Sequence, residues 1–179
     1  MLKIKAISII KRLSLVVFLA LAGCLGMPEK VVPIKNFTID RYFGKWYEIA
    51  RLDHSFERGL EKITATYAIR DDGGVSVINQ GYSPDEQKWK VAEGKAYFVN
   101  DTNEGYLKVS FFGPFYGSYV IFELEQANYD YAFVSGPDLS YLWLLSRKPI
   151  VSTEVVEKFK LQSKKLGFDV DTLIFVNHK

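Results

Sequence analysis

The stretch Ile63-Thr64-Ala65-Thr66-Tyr67-Ala68-Ile69-Arg70-Asp71-Asp72-Gly73-Gly74-Val75-Ser76-Val77-Ile78-Asn79 decides the fold class. In its first half Ile63, Ala65, Tyr67 and Ile69 alternate with Thr64, Thr66, Ala68 and Arg70. A period of two places a mainly apolar set on one face of a strand and a mainly polar set on the other. Asp71-Asp72-Gly73-Gly74 then supplies a tight turn, its glycines accepting the positive φ that such turns need. Val75, Val77, Asn79 and Gly81 carry the alternation into the return strand until Pro84-Asp85 breaks it.

Working outward, Lys45 to Leu52 reads as a strand before this hairpin. Trp89 to Val99, Gly105 to Phe112, Tyr116 to Gln126, Tyr129 to Ser135 and Tyr141 to Arg147 read as strands after it. Eight strands separated by turns predict an all-β barrel or sandwich. The period then changes. Ser152 or Thr153 suits a helix N-cap, Glu154 and Glu157 its first turns, and Lys164 and Lys165 its end before Gly167. Val155, Phe159 and Leu166 share one face, so the helix is expected to pack on the wall. Thr172 to Asn177 adds a short final strand.

Composition narrows the function. The 179 residues are 48% hydrophobic, 25% charged and 15% aromatic, with one cysteine, two histidines and a net charge of +2. That is one ordinary globular domain. A lone cysteine excludes an intramolecular disulfide, and His54 and His178 are poor material for a metal cage. The weak net charge gives no argument for nucleic acid. Tyr (11) and Phe (13) together outnumber the 23 Lys and Arg by one, as suits a strand-rich chain.

The N-terminus is of a different kind. Lys3, Lys5, Lys11 and Arg12 precede the apolar run Leu13 to Gly23, and no acid occurs before Glu29. This is the pattern of an export signal, and eleven apolar residues fall short of the about 20 that span a bilayer. Leu21-Ala22-Gly23-Cys24 resembles the lipobox of bacterial lipoproteins, which implies cleavage after Gly23 and acylation of Cys24. Leu25 at the next position favours outer-membrane sorting within that resemblance. Residues 24 to 35, with Pro28 and Pro33, read as the acylated N-terminus and its tether, and residues 36 to 179 as the folded domain. Removing residues 1 to 23 takes four of the basic residues and leaves 19 against 21 acidic ones, a mature net charge of −2.

Whether the barrel is hollow depends on which residues point inward. Gly94, Ala96 and Phe98 share one strand face, and Ala65 and Val77 lie on apolar faces, so two or more small side chains would leave space. Alternation supports a side-chain-filled core equally well. Catalytic signatures are absent: there is no G-x-S-x-G, H-E-x-x-H or P-loop. His54 is expected to be a solvated loop residue, and Asp71-Asp72 to be turn chemistry with no metal. Trp89, Tyr116 and Tyr119 are candidate exposed aromatics for docking or homodimer contacts.

Three further segments carry a family resemblance. Gly44-Lys45-Trp46-Tyr47 at the start of the first strand matches the G-x-W signature of lipocalins. Asn128-Tyr129-Asp130-Tyr131-Ala132 resembles their second motif, and Arg147, after Trp143-Leu144-Leu145-Ser146, resembles the third. The stretch Leu107 to Gly117, with Gly136-Pro137-Asp138 and Tyr141-Leu142-Trp143, is similar to bacterial outer-membrane lipoprotein lipocalins, a branch akin to the apolipoprotein D-like members. The resemblance implies an eight-stranded antiparallel up-and-down barrel, the lipocalin calyx, with one C-terminal helix on its wall.

It also implies a barrel-closing group of Gly44, Trp46 and Arg147, the arginine lying across the indole. Alternation from Arg147 would send Leu145, Trp143 and Tyr141 inward. The expected calyx wall is then Ala65, Tyr67, Val77, Asn79, Ala96, Phe98, Val109, Phe111 and Trp143. The implied ligand is a fatty acid or lysophospholipid, held without a cofactor, at the periplasmic face of the outer membrane. The rival implied by other branches is a lipocalin-fold enzyme, which would need a polar inward cluster. A partner-docking structural lipoprotein with a packed barrel is the other rival.

Overall fold

A computed structural model describes residues 25–179. Its elements are a one-turn helix α1 (Ile39–Tyr42), eight barrel strands, the long helix α2 (Thr153–Leu166), a 3-10 turn (Val170–Thr172) and a two-residue strand β9 (Ile174–Phe175). The barrel strands are β1 (Gly44–Arg51), β2 (Glu61–Ile69), β3 (Val75–Ser83), β4 (Lys88–Phe98), β5 (Tyr106–Ser110), β6 (Gly117–Leu124), β7 (Tyr131–Ser135) and β8 (Leu142–Ser146). Each pairs antiparallel with its neighbour in the chain, and β1 pairs with both β8 and β2, which closes the sheet. Closure leaves no edge among the eight. Past its pairing with β2, β1 is met by β9, at Ala50↔Phe175 and Arg51↔Ile174.

Two apolar layers arise from the alternation. Inside lie Trp46, Ala65, Val77, Ala96, Leu107, Ile121, Ala132, Val134 and Leu145. Outside, under α2, lie Ile49, Tyr106, Val120, Phe133, Leu142 and Leu144. Phe159 of α2 is wholly buried and meets Phe133 edge-on at 5.0 Å. Burying such a ring contributes roughly 1.5–3 kcal/mol. The helix ends in a left-handed Gly167 (φ 102°), whose amide and that of Phe168 satisfy the carbonyls of Lys164 and Ser163. Ser152 holds the N-cap position without a side-chain bond to the helix backbone.

The segment expected to be a tether is not a loose linker. Val31 is buried, Ile34 donates to the Ile121 carbonyl (2.9 Å) and accepts from Gly105 (3.0 Å), and Phe37 donates to Asn103 (2.8 Å). Residues 25 to 37 therefore run along the outside of β5 and β6 to the end of the barrel where β1 begins. The signal segment and Cys24 lie outside the described residues.

One irregularity in β1 shapes the barrel interior. The register of β1 against β8 shifts between Glu48 and Ala50. Such a bulge adds one residue and reverses the side-chain parity beyond it. Trp46 and Glu48 point inward, and so, past the bulge, does the odd-numbered Arg51.

Candidate functional site

The barrel interior is built in three levels. At the closed end Gly44 adopts φ 93°, a left-handed conformation that residues with a Cβ rarely take, so the first position of G-x-W requires glycine. Trp46 is completely buried and donates from Nε1 to the Tyr42 carbonyl at 2.8 Å. The Arg147 guanidinium lies 4.0 Å from the Trp46 ring centre. It donates to the carbonyls of Lys45 (3.0 Å) and Arg41 (2.7 Å). Arginine thus binds the plug to the turn before β1, the cation–π contact alone contributing about 0.5–2 kcal/mol.

Above the plug stands a chain of three phenols. Tyr119 Oη is 2.8 Å from Tyr42 Oη and 2.8 Å from Tyr67 Oη. Burial pushes all three hydroxyls up, so they stay protonated. Three hydroxyls joined by two bonds retain one proton to donate. Tyr119, expected on the surface, is instead a floor residue, because its register partner Leu107 faces inward.

The wall residues expected from alternation share this inner face. Ala65 stands opposite Asn79, Tyr67 opposite Val77, and Ala96 opposite both Val75 and Val109. Ala65, Tyr67, Val77 and Ala96 are buried, whereas Asn79, Phe98, Val109, Phe111 and Trp143 are only half-buried. An added Cβ at Gly94 would meet the Phe111 ring at 2.8 Å, so this glycine makes room for the ring. The Asn79 amide oxygen is buried and accepts no hydrogen bond among the described residues.

Toward the open end lies a charged cluster that the sequence did not announce. Arg51, Glu48 and Glu57 are 2%, 3% and 6% exposed. Arg51 donates to Glu48 Oε1 (3.2 Å) and to the Glu57 carbonyl (2.9 Å), and Trp143 Nε1 donates to Glu57 Oε2 (3.1 Å). Burial, helped by the charge of Glu57, raises Glu48 well above the usual carboxyl range despite Arg51. Glu57 is also raised by burial, against the Trp143 bond and Arg51. Arg51 lies within ion-pair distance of both carboxyls, 3.2 Å from Glu48 and 3.8 Å from Glu57, so the three groups form one buried cluster. This is a polar inward cluster, but its bonds run among its own members and Trp143.

His54 corrects a second expectation. It is 5% exposed, and its ring stacks on Phe56 (5.2 Å) and Tyr141 (4.8 Å) beside Trp143 (4.8 Å). Burial and the nearby Arg51 charge push it down to about 4. The loop from Leu52 to Leu60 is thus drawn into the mouth by Glu57 and His54. Of the other proposed surface aromatics, Trp89 is 55% exposed, while Tyr116 is half-buried beside Tyr97 and Lys108. Among the described residues no group of His, Cys, Asp and Glu is placed to hold a metal ion.

Known proteins resemble this chain in sequence and fold. The lipocalin-like domain family matches residues 37–178. The outer membrane lipoprotein Blc of Vibrio cholerae is 62% identical over 159 residues, covering 89% of this chain and 93% of the relative. That of Escherichia coli is 54% identical over 149 residues, covering 83% and 84%. Insecticyanin from the tobacco hornworm Manduca sexta has the same fold, with a TM-score of 0.68 at 22% identity over 86% of this chain and 87% of that one. Motif geometry, barrel closure and these matches agree, and the chain belongs to the lipocalin family.

Proposed function

We propose that the protein is a lipid-binding lipocalin of the outer membrane, anchored through an acylated Cys24, that takes up a fatty acid or a lysophospholipid in its barrel. The observation that carries the reading is the half-buried inner face of Phe98, Val109, Phe111 and Trp143 above a floor of neutral phenols. An acyl chain laid there leaves water at about 25 cal/mol per Å², less the cost of immobilising it. The Asn79 oxygen suits a ligand hydroxyl, as on the glycerol of a lysophospholipid. Binding without covalent chemistry fits the charged cluster, whose members are engaged with one another. The names of the Vibrio cholerae and Escherichia coli relatives support the membrane assignment. A homodimer would draw on exposed Trp89.

Native mass spectrometry of the protein extracted from cells tests the binding. A bound fatty acid or lysophospholipid in one-to-one ratio is expected, chemically unchanged after incubation. A folded barrel that carries no lipid and takes none up would sink the carrier reading, and a converted ligand would favour the enzyme. Cys24→Ser is expected to abolish palmitate labelling, and persistent label would refute the anchor.

A further inference from the structure

One loop of the open rim presents aromatic rings to solvent. The loop between β5 and β6, Phe111-Phe112-Gly113-Pro114-Phe115-Tyr116, contains no charged residue, and Phe112 and Phe115 are 81% and 66% exposed. Phe56, in the loop from β1 to β2 at the same end, is 60% exposed. Isolated exposed phenylalanines are ordinary, but paired rings at the tip of one uncharged loop mark a surface that meets apolar material.

The first described residues say what that material is. Gly26 donates its amide to Ser118 Oγ at 3.0 Å, and Ser118 is the second residue of β6, directly after the aromatic loop. From there residues 27 to 37 run away from the rim toward the closed end. Cys24 is two residues before Gly26, and two residues span at most roughly 7 Å. The described chain therefore begins at the mouth end, against the strand that follows the aromatic loop, and the Trp46–Arg147 plug lies at the opposite end.

We propose that the barrel sits mouth-down on the membrane that holds it, with Phe112 and Phe115 seated in the lipid interface, so that a lipid passes between bilayer and calyx without crossing water. This orientation rests on the acylation of Cys24 in the proposed function. Aromatic side chains favour such a boundary because their apolar bodies leave water while remaining near the headgroups. The loop's lack of charge removes the desolvation cost that a Lys or Glu would bring.

The test uses the full acylated chain in vesicles of phosphatidylethanolamine and phosphatidylglycerol, with an environment-sensitive fluorophore at Gly113→Cys or, at the closed end, Asp71→Cys. Gly113 has open space around an added Cβ, so the label is tolerated. Spin-labelled lipids are expected to quench the Gly113 probe and leave the Asp71 probe in water. Phe112→Ser with Phe115→Ser should slow lipid uptake from vesicles about tenfold, the equivalent of roughly 1.4 kcal/mol in activation free energy. Binding of a monomeric fatty-acid probe in solution should not change.

Quenching at Asp71, or at neither site, overturns the orientation while the Cys24 lipopeptide, seen by mass spectrometry, keeps the anchor reading intact. A Gly113 probe shielded from water but unquenched by lipid would mean that the rim seats on a second copy, and overturns it as well. Absence of the lipopeptide overturns the anchor and the orientation together.

Discussion

Replacing His54 by Phe separates the charge of the mouth histidine from its packing. Phe retains a ring for the stack between Phe56 and Tyr141, and removes the one group there that titrates near neutrality in an unfolded chain. In the fold His54 is pushed down to about 4, from an ordinary value near 6.5. Between these two values the unfolded chain binds the proton and the folded one does not, so stability falls as the pH is lowered through this window. The wild-type contribution is complete above pH 6.5, and the loss levels off below pH 4. At full strength it amounts to roughly 3 kcal/mol, and about 1–2 kcal/mol after allowance for solvent at the mouth.

Glu48 and Glu57, whose carboxyls are raised by burial, act in the opposite sense, but they are present in both proteins and cancel in the comparison. Urea unfolding of wild type and His54→Phe at about pH 7.5 and pH 4.5 reads the difference. Wild type should lose about 1–2 kcal/mol more than the variant between the two pH values. Parallel losses, within about 0.3 kcal/mol, would refute the argument, since an imidazole with an ordinary proton affinity imposes no such difference.

Other consequences are open to measurement. Trp46→Ala should cost about 3–5 kcal/mol in urea unfolding. Arg147→Met, which retains an apolar cover but loses both carbonyl bonds, should cost about 1–3 kcal/mol. A loss below about 0.5 kcal/mol for either would contradict the plug. Arg51→Met strands two buried carboxyls and should cost about 3–5 kcal/mol. Glu48→Gln mimics the protonated acid and should stay within about 1 kcal/mol of wild type; a larger loss would mean that Glu48 is ionised. Asn79→Trp projects an indole into the accessible part of the interior, and should weaken lipid binding about tenfold or more in a fluorescence titration while circular dichroism stays that of the barrel. Unchanged affinity in that variant would move the ligand elsewhere.

The hairpin Ile63 to Asn79 was legible because its alternation and turn chemistry agree, and the wall residues on β2, β3 and β4 share that same parity. G-x-W and Arg147 were legible through the resemblance to lipocalins, and they meet in the fold because β1 pairs with β8. Parity also explains the misses. The bulge in β1 turns Arg51 inward against the simple alternation, and nothing in Trp-Tyr-Glu-Ile-Ala-Arg marks where the extra residue falls. His54 and Glu57 sit in a loop without periodicity, and their burial depends on partners far along the chain, Tyr141 and Trp143. Tyr119 shares parity with Ile121, and only the register of β6 against β5, Tyr119 opposite Leu107, shows that parity to be the inner one.

The segment that lies along β5 and β6 also defines a path for mechanical load. A pull on the N-terminal end of the described chain acts first on the Gly26–Ser118 bond, then on Val31, and only afterwards on the paired bonds of Ile34. Residues 25 to 33 would peel off in sequence and release about 30 Å of slack before any barrel strand bears force. Tethered at its N-terminal end, the wall-packed segment would thus act as a retractable leash, lengthening under load while the barrel stays folded.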